Sequence, residues 1–121
     1  MDYKIDFSTE NGFVRIKVHN SITADLERSF AKEAIETASK NGVLNYYADV
    51  RGVKNVTSII DQYTLAYEEM ASFRLDRKSK IAIVHSLDDH SHDFIEVVFR
   101  NAGYSCKLFV SEDEAYDWLK A

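Results

Sequence analysis

The chain has 121 residues, 45% of them hydrophobic and 29% charged, a composition that fits one ordinary folded domain and excludes disorder. With 15 basic against 20 acidic residues the formal charge is -5, which excludes binding driven by clustered Lys/Arg against phosphates, so no nucleic-acid partner is expected. No apolar run approaches the roughly 20 residues of a membrane helix, no charged-then-apolar leader is seen, and the single Cys106 cannot close an internal disulfide; a cytoplasmic domain without a transmembrane segment is expected.

Tyr3, Ile5 and Phe7 alternate with Lys4 and Asp6, and Val14, Ile16 and Val18 with Arg15 and Lys17, which predicts two half-buried strands. Asn11-Gly12 between them supplies the positive φ of a tight reversal, hence an antiparallel hairpin. From Thr23 to Lys40 the period lengthens: Leu26, Phe30, Ala34 and Ala38, widened by Ala31 and Ile35, form the stripe of a helix. Thr23 would cap it, Asp25 and Glu27 would complement its dipole, and Asn41-Gly42 would stop it.

Leu44 to Val50 reads as a third strand, closed by Arg51-Gly52. A second helix is predicted from Ser58 to about Phe73, with Ser58 and Asp61 at capping-box spacing and Ile59, Tyr63, Ala66, Met70 and Phe73 on its buried face. Ile60, Leu65 and Tyr67 fall off that face, so the apolar surface is wider than one stripe and needs a second cover. Arg74, Arg77, Lys78 and Lys80, the one basic cluster, read as a solvated connection.

Ile81-Ala82-Ile83-Val84 is apolar without alternation, as in a strand covered on both sides; it is expected in the middle of the sheet with Ile81, Ile83 and Val84 almost fully buried. Phe94 to Ala102 predicts a third helix ending at Gly103, and Tyr104 to Val110 a last strand in which Cys106 is a small core residue. Ser111 and Glu114 then cap a short helix carrying Ala115, Trp118 and Leu119. The order predicts a single α/β domain: an N-terminal β-hairpin followed by βα units on a mainly parallel, mixed five-stranded sheet.

With these elements in view the chain resembles the SpoIIAA-like, STAS-related family, over nearly its whole length. The likeness is carried by the Asn11-Gly12 hairpin, Ala48-Asp49-Val50-Arg51-Gly52, Lys80-Ile81-Ala82-Ile83-Val84, and Phe109 followed by Ala115, Trp118 and Leu119. It implies a SpoIIAA-like fold, distantly similar to CRAL-TRIO lipid-binding domains. STAS anti-sigma-factor antagonists carry a phosphorylatable Ser directly after the corresponding Asp; here Val50 follows Asp49, so the resemblance does not bring a phospho-switch with it.

Two places stand out for chemistry. His85, His90 and His92 with Asp88, Asp89 and Asp93 follow a central strand at its carboxyl end, where open α/β sheets bind ligands. Asp88, His90 and His92 could in principle ligate a divalent metal, but the expected role of Asp89 or Ser91 is to cap the next helix, with the other polar side chains solvated. Asp49 and Arg51 end the third strand and would face the same crevice as a site for a ligand or partner, although the first expectation for Asp49 is to cap the Arg51-Gly52 turn or to pair with Arg51. The loop from Arg51 to Thr57 is expected to be loosely held, and Tyr63, Tyr67 and Met70 on the helix after it are the expected contacts for a ligand or partner.

No nucleophile motif, phosphate-binding glycine loop or paired carboxylates accompany these residues, so the expectation is a non-enzymatic binding or interaction module that uses no cofactor. Its partner would be another protein or a second copy in a homodimer. Two alternatives stand beside it: a binder of a lipid or other apolar small molecule at a peripheral membrane surface, and a metal-dependent enzyme built on residues 85–93.

Overall fold

The computed structural model describes residues 2–121. Strands β1 (Tyr3–Ser8) and β2 (Phe13–Val18) form the antiparallel hairpin, and β3 (Tyr46–Asp49), β4 (Lys80–Val84) and β5 (Ser105–Phe109) add to β2 in parallel, in the spatial order β1-β2-β3-β4-β5. The hairpin loop is longer than a two-residue turn: Gly12 alone has positive φ, 74°, and its N–H returns to the Ser8 carbonyl at 2.9 Å. Strand β4 is interior but not central, since β3 holds the middle.

Helix α1 (Ala24–Asn41) begins where the Thr23 hydroxyl accepts from the Leu26 N–H and ends at Gly42, whose left-handed φ of 66° lets its N–H reach back to the helix carbonyls. The next helix is not uniform. Ile59–Thr64 is α-helical behind the Ser58 cap, Leu65–Glu69 is a π turn and Met70–Ser72 is α-helical again; the continuous element is α2. Helix α3 (Asp93–Asn101) and helix α4 (Glu112–Lys120, capped by Ser111) complete the chain of elements.

Alternation along the strands divides the core in two. Val14, Ile16, Tyr46, Ala48, Ile81, Ile83 and Cys106 point to one face, under α1, α2 and α3. Phe13, Tyr47, Ala82, Val84 and Phe109 point to the other, where Ala115 and Leu119 of α4 cover them. Ala82 and Val84 are fully buried, whereas Ile81 and Ile83 are only partly buried, against expectation, because the space above them is not filled by a helix side chain.

The expected buried face of α2 is also corrected. Ile59 and Tyr63 are exposed, and Gln62, Leu65, Ala66 and Met70 are buried. In an α-helix, residues five apart lie about 140° apart around the axis. The π turn, in which the Met70 N–H bonds to the Leu65 carbonyl, inserts one residue and brings both side chains to the sheet side.

Candidate ligand-binding site

Between the sheet and the three-helix layer lies a cavity of about 90 Å³. It exists because small side chains meet there: Ala34 of α1, Ala48 of β3 and Cys106 of β5 leave room that Ile81 and Ile83 border from below and Leu65 and Met70 of α2 close from above. For scale, an engineered apolar cavity of about 150 Å³ stays dry and admits benzene or xenon.

One carboxyl group lines this apolar space. Glu27, in the first turns of α1, is 8% exposed, and no hydrogen bond to its carboxyl forms among the described residues. Burial pushes its pKa up to about 8, helped by the nearby carboxylates Glu69 and Asp61 of α2. Arg28, beside it in sequence, points instead to Glu69, at 3.3 Å, and to Asp25. From its position in the first turns Glu27 is expected only to complement the helix dipole; the signal of its burial is spacing, since Glu27, Phe30, Ala34 and Ala38 fall on one helical face.

The histidine loop has a different job from either of those expected. His92 is 2% exposed and borders the cavity; its Nε2 lies 3.0 Å from the Val53 carbonyl and 3.2 Å from Asp89. Asp89 accepts from the Ser91 N–H at 2.9 Å and from Lys54 at 3.2 Å. Burial would raise the Asp89 pKa, but the bonds from Ser91 and Lys54 and the His92 ring outweigh it and hold the carboxyl well below the usual carboxylate range. Neither Asp89 nor Ser91 caps α3: its cap position is His92, without a side-chain bond. The Ser91 and Ser86 hydroxyls accept instead from the N–H groups of Asn55 and Gly52, each at 2.9 Å.

The segment 51–57 is therefore stapled along its length, not loosely held; Ile22 also bonds to it from both sides, through Lys54 and Val56. Asp88 and His90 face outward, His90 against Asp93 at 3.2 Å, so Asp88, His90 and His92 do not converge. No group of three or more His, Cys, Asp or Glu side chains positioned for a metal occurs among the described residues.

Asp49 and Arg51 are joined to each other but not to this cavity. The Asp49 carboxylate accepts from the Arg51 backbone and guanidinium at 2.7 to 3.1 Å and from Lys17 at 3.2 Å. Asp49 shares the α4 face with Tyr47, whose hydroxyl donates to Glu112 at 2.8 Å, so it faces away from His92. Of the expected α2 contacts, Met70 lines the cavity, whereas Tyr63 and Tyr67 stack at 5.8 Å on the outer surface, with Tyr63 edge-on to Phe94 of α3.

A sheet layered this way, with a cavity under its helices, defines a single-domain α/β protein of SpoIIAA-like fold. No protein-family model and no curated protein matches the chain. Among solved structures it is similar to an uncharacterized DUF3478-family protein with a SpoIIAA-like fold from Shewanella loihica PV-4, at TM-score 0.59 and 17% identity, covering 97% of this chain and 91% of that one. At that identity the likeness establishes the fold and says nothing of activity. No helix among the described residues is long and apolar enough to cross a membrane.

Proposed function

We propose that the protein is a non-enzymatic binding module that holds an apolar small molecule between its sheet and α2. The observation that carries this reading is the cavity of about 90 Å³ walled almost entirely by apolar side chains. Its cover contains a π turn, a feature frequent at functional sites because it breaks the regular helix ladder. Native mass spectrometry of freshly purified protein is expected to retain an apolar small-molecule mass, and xenon is expected to enter the cavity. Ala48→Leu, which fills the space from the sheet side, should remove both while leaving the fold intact. A protein that purifies empty and takes up no xenon overturns the reading.

A second reading rests on the ridge formed by Val56, Ile59, Ile60, Tyr63 and Tyr67, all exposed, Ile60 to 76%. Such a contiguous apolar surface suits a protein partner, a second copy of the chain or a peripheral membrane contact. The same mass spectra test it: a dimer without bound small molecule favours this reading over the first.

A further inference from the structure

We propose that the ligand of this cavity carries a protonated amine on an apolar body, with the amine held by Glu27. The inference rests on the reading that the cavity is a ligand site and adds the chemistry of its polar end. Glu27 is the only carboxyl group among the described lining residues; the residue is 8% exposed and no hydrogen bond to its carboxyl is formed among the described residues. A buried polar group left unpaired costs free energy, and an external donor supplies what the fold does not.

The charges nearby select the kind of donor. Near Glu27 stand Asp61 and Glu69 on α2, Arg28 next to it on its own helix and Cys106 on β5, while His92 ahead of α3 and Tyr46 on β3 line the same cavity. Arg28 is already committed to Glu69 and Asp25, which leaves the acidic groups in excess. An anionic head would meet that excess as repulsion, and an alcohol would leave it unused. An ammonium meets it as attraction and offers Glu27 charge-assisted N–H donors. Tyr46, pushed up to about 12 by burial, and Cys106, also raised by burial, hold their protons in the neutral range and do not compete for this role.

Binding an ammonium requires Glu27 to ionise, so below about pH 8 each ligand bound displaces one proton. Affinity should then rise with pH, by up to about tenfold per unit, and level off above the Glu27 pKa.

The test compares butylamine, 1-butanol and pentanoic acid by isothermal titration calorimetry in two buffers of different ionisation enthalpy, with wild type and Glu27→Gln. Butylamine is expected to bind about tenfold or more tightly than butanol at pH 8, consistent with a charge-assisted bond, and to release close to one proton at pH 7. Glu27→Gln should lose the preference and the proton release while keeping its affinity for butanol; xenon uptake by the variant checks that its cavity persists. Butanol or pentanoic acid binding as tightly as butylamine, or butylamine binding without proton release, overturns the inference. If xenon enters the wild type while butylamine shows no preference, only the amine is wrong; if xenon is also excluded, the cavity reading falls with it.

Discussion

Between His90 and His92 lies a single serine, yet the first side chain is 78% exposed and the second 2%. Two imidazoles in one short loop invite a single shared role, but burial gives them separate ones. His92→Ala would leave the Val53 carbonyl and the Asp89 carboxylate short of a partner and should cost about 1–3 kcal/mol in urea unfolding. His90→Ala should stay within about 0.5 kcal/mol of wild type, as exposed substitutions do. Glu27 gives the second expectation at this scale. Its carboxyl ionises near 4.5 in the unfolded chain and near 8 in the folded one, so the unfolded state loses the proton first. Stability from this group is thus present below that window and declines as pH rises through it, by at most about 1.4 kcal/mol per unit. Without ligand, wild type should weaken relative to Glu27→Gln between pH 5 and pH 8, measured by denaturation midpoints in matched buffers.

Helices α1 and α2 differ in their regularity. Both border the cavity, α1 through Phe30, Ala34 and Ile35 and α2 through Leu65 and Met70, but α1 is regular from cap to cap whereas α2 is interrupted by the π turn. A break in the regular helix hydrogen-bond ladder lowers the cost of local opening. Amides of residues 59–72 are therefore expected to exchange with deuterium faster than those of residues 24–41 and to slow when the cavity is filled, while the stapled amides of Asn55 and Val56 stay protected. Equal, slow exchange in both helices would count against α2 as the cover of a site. The same contrast explains what the sequence disclosed. Helix α1 was legible because its stripe keeps one period from cap to cap, and the hairpin and the Ser111 cap were legible because a few neighbouring residues determine them. The buried face of α2 was not, since a π turn depends on tertiary packing and leaves no periodic mark. Nor was the cavity, which arises only where Ala34, Ala48 and Cys106, far apart in the chain, are brought together.

At the scale of the molecule, strand order follows chain order from β1 to β5, so each of the three crossovers steps the same way across the sheet. Crossovers of one hand stepping one way place their helices on one face, and α1, α2 and α3 all lie there. Sheets that bind ligands beyond their strand ends do so where the order reverses. This sheet has no reversal, and so the strand-end crevice expected to unite Asp49 with the histidine loop does not form: Asp49 turns toward α4, and the available space lies under the helices instead. The one-sided layering also has a consequence for synthesis. As the chain leaves the ribosome, each strand can pair with the one before it and then receive its helix, so this face of the sheet can be assembled in chain order. The opposite face gains nothing from this progress. Phe13, Tyr47, Ala82 and Val84 are assembled into an apolar sheet surface that stays in water until α4, the last of these elements to emerge, folds back across them. During that interval a nascent chain carries its greatest hazard of sticking to another, and the hazard lasts from the completion of β4 at Val84 until the helix ending at Lys120 is free to fold.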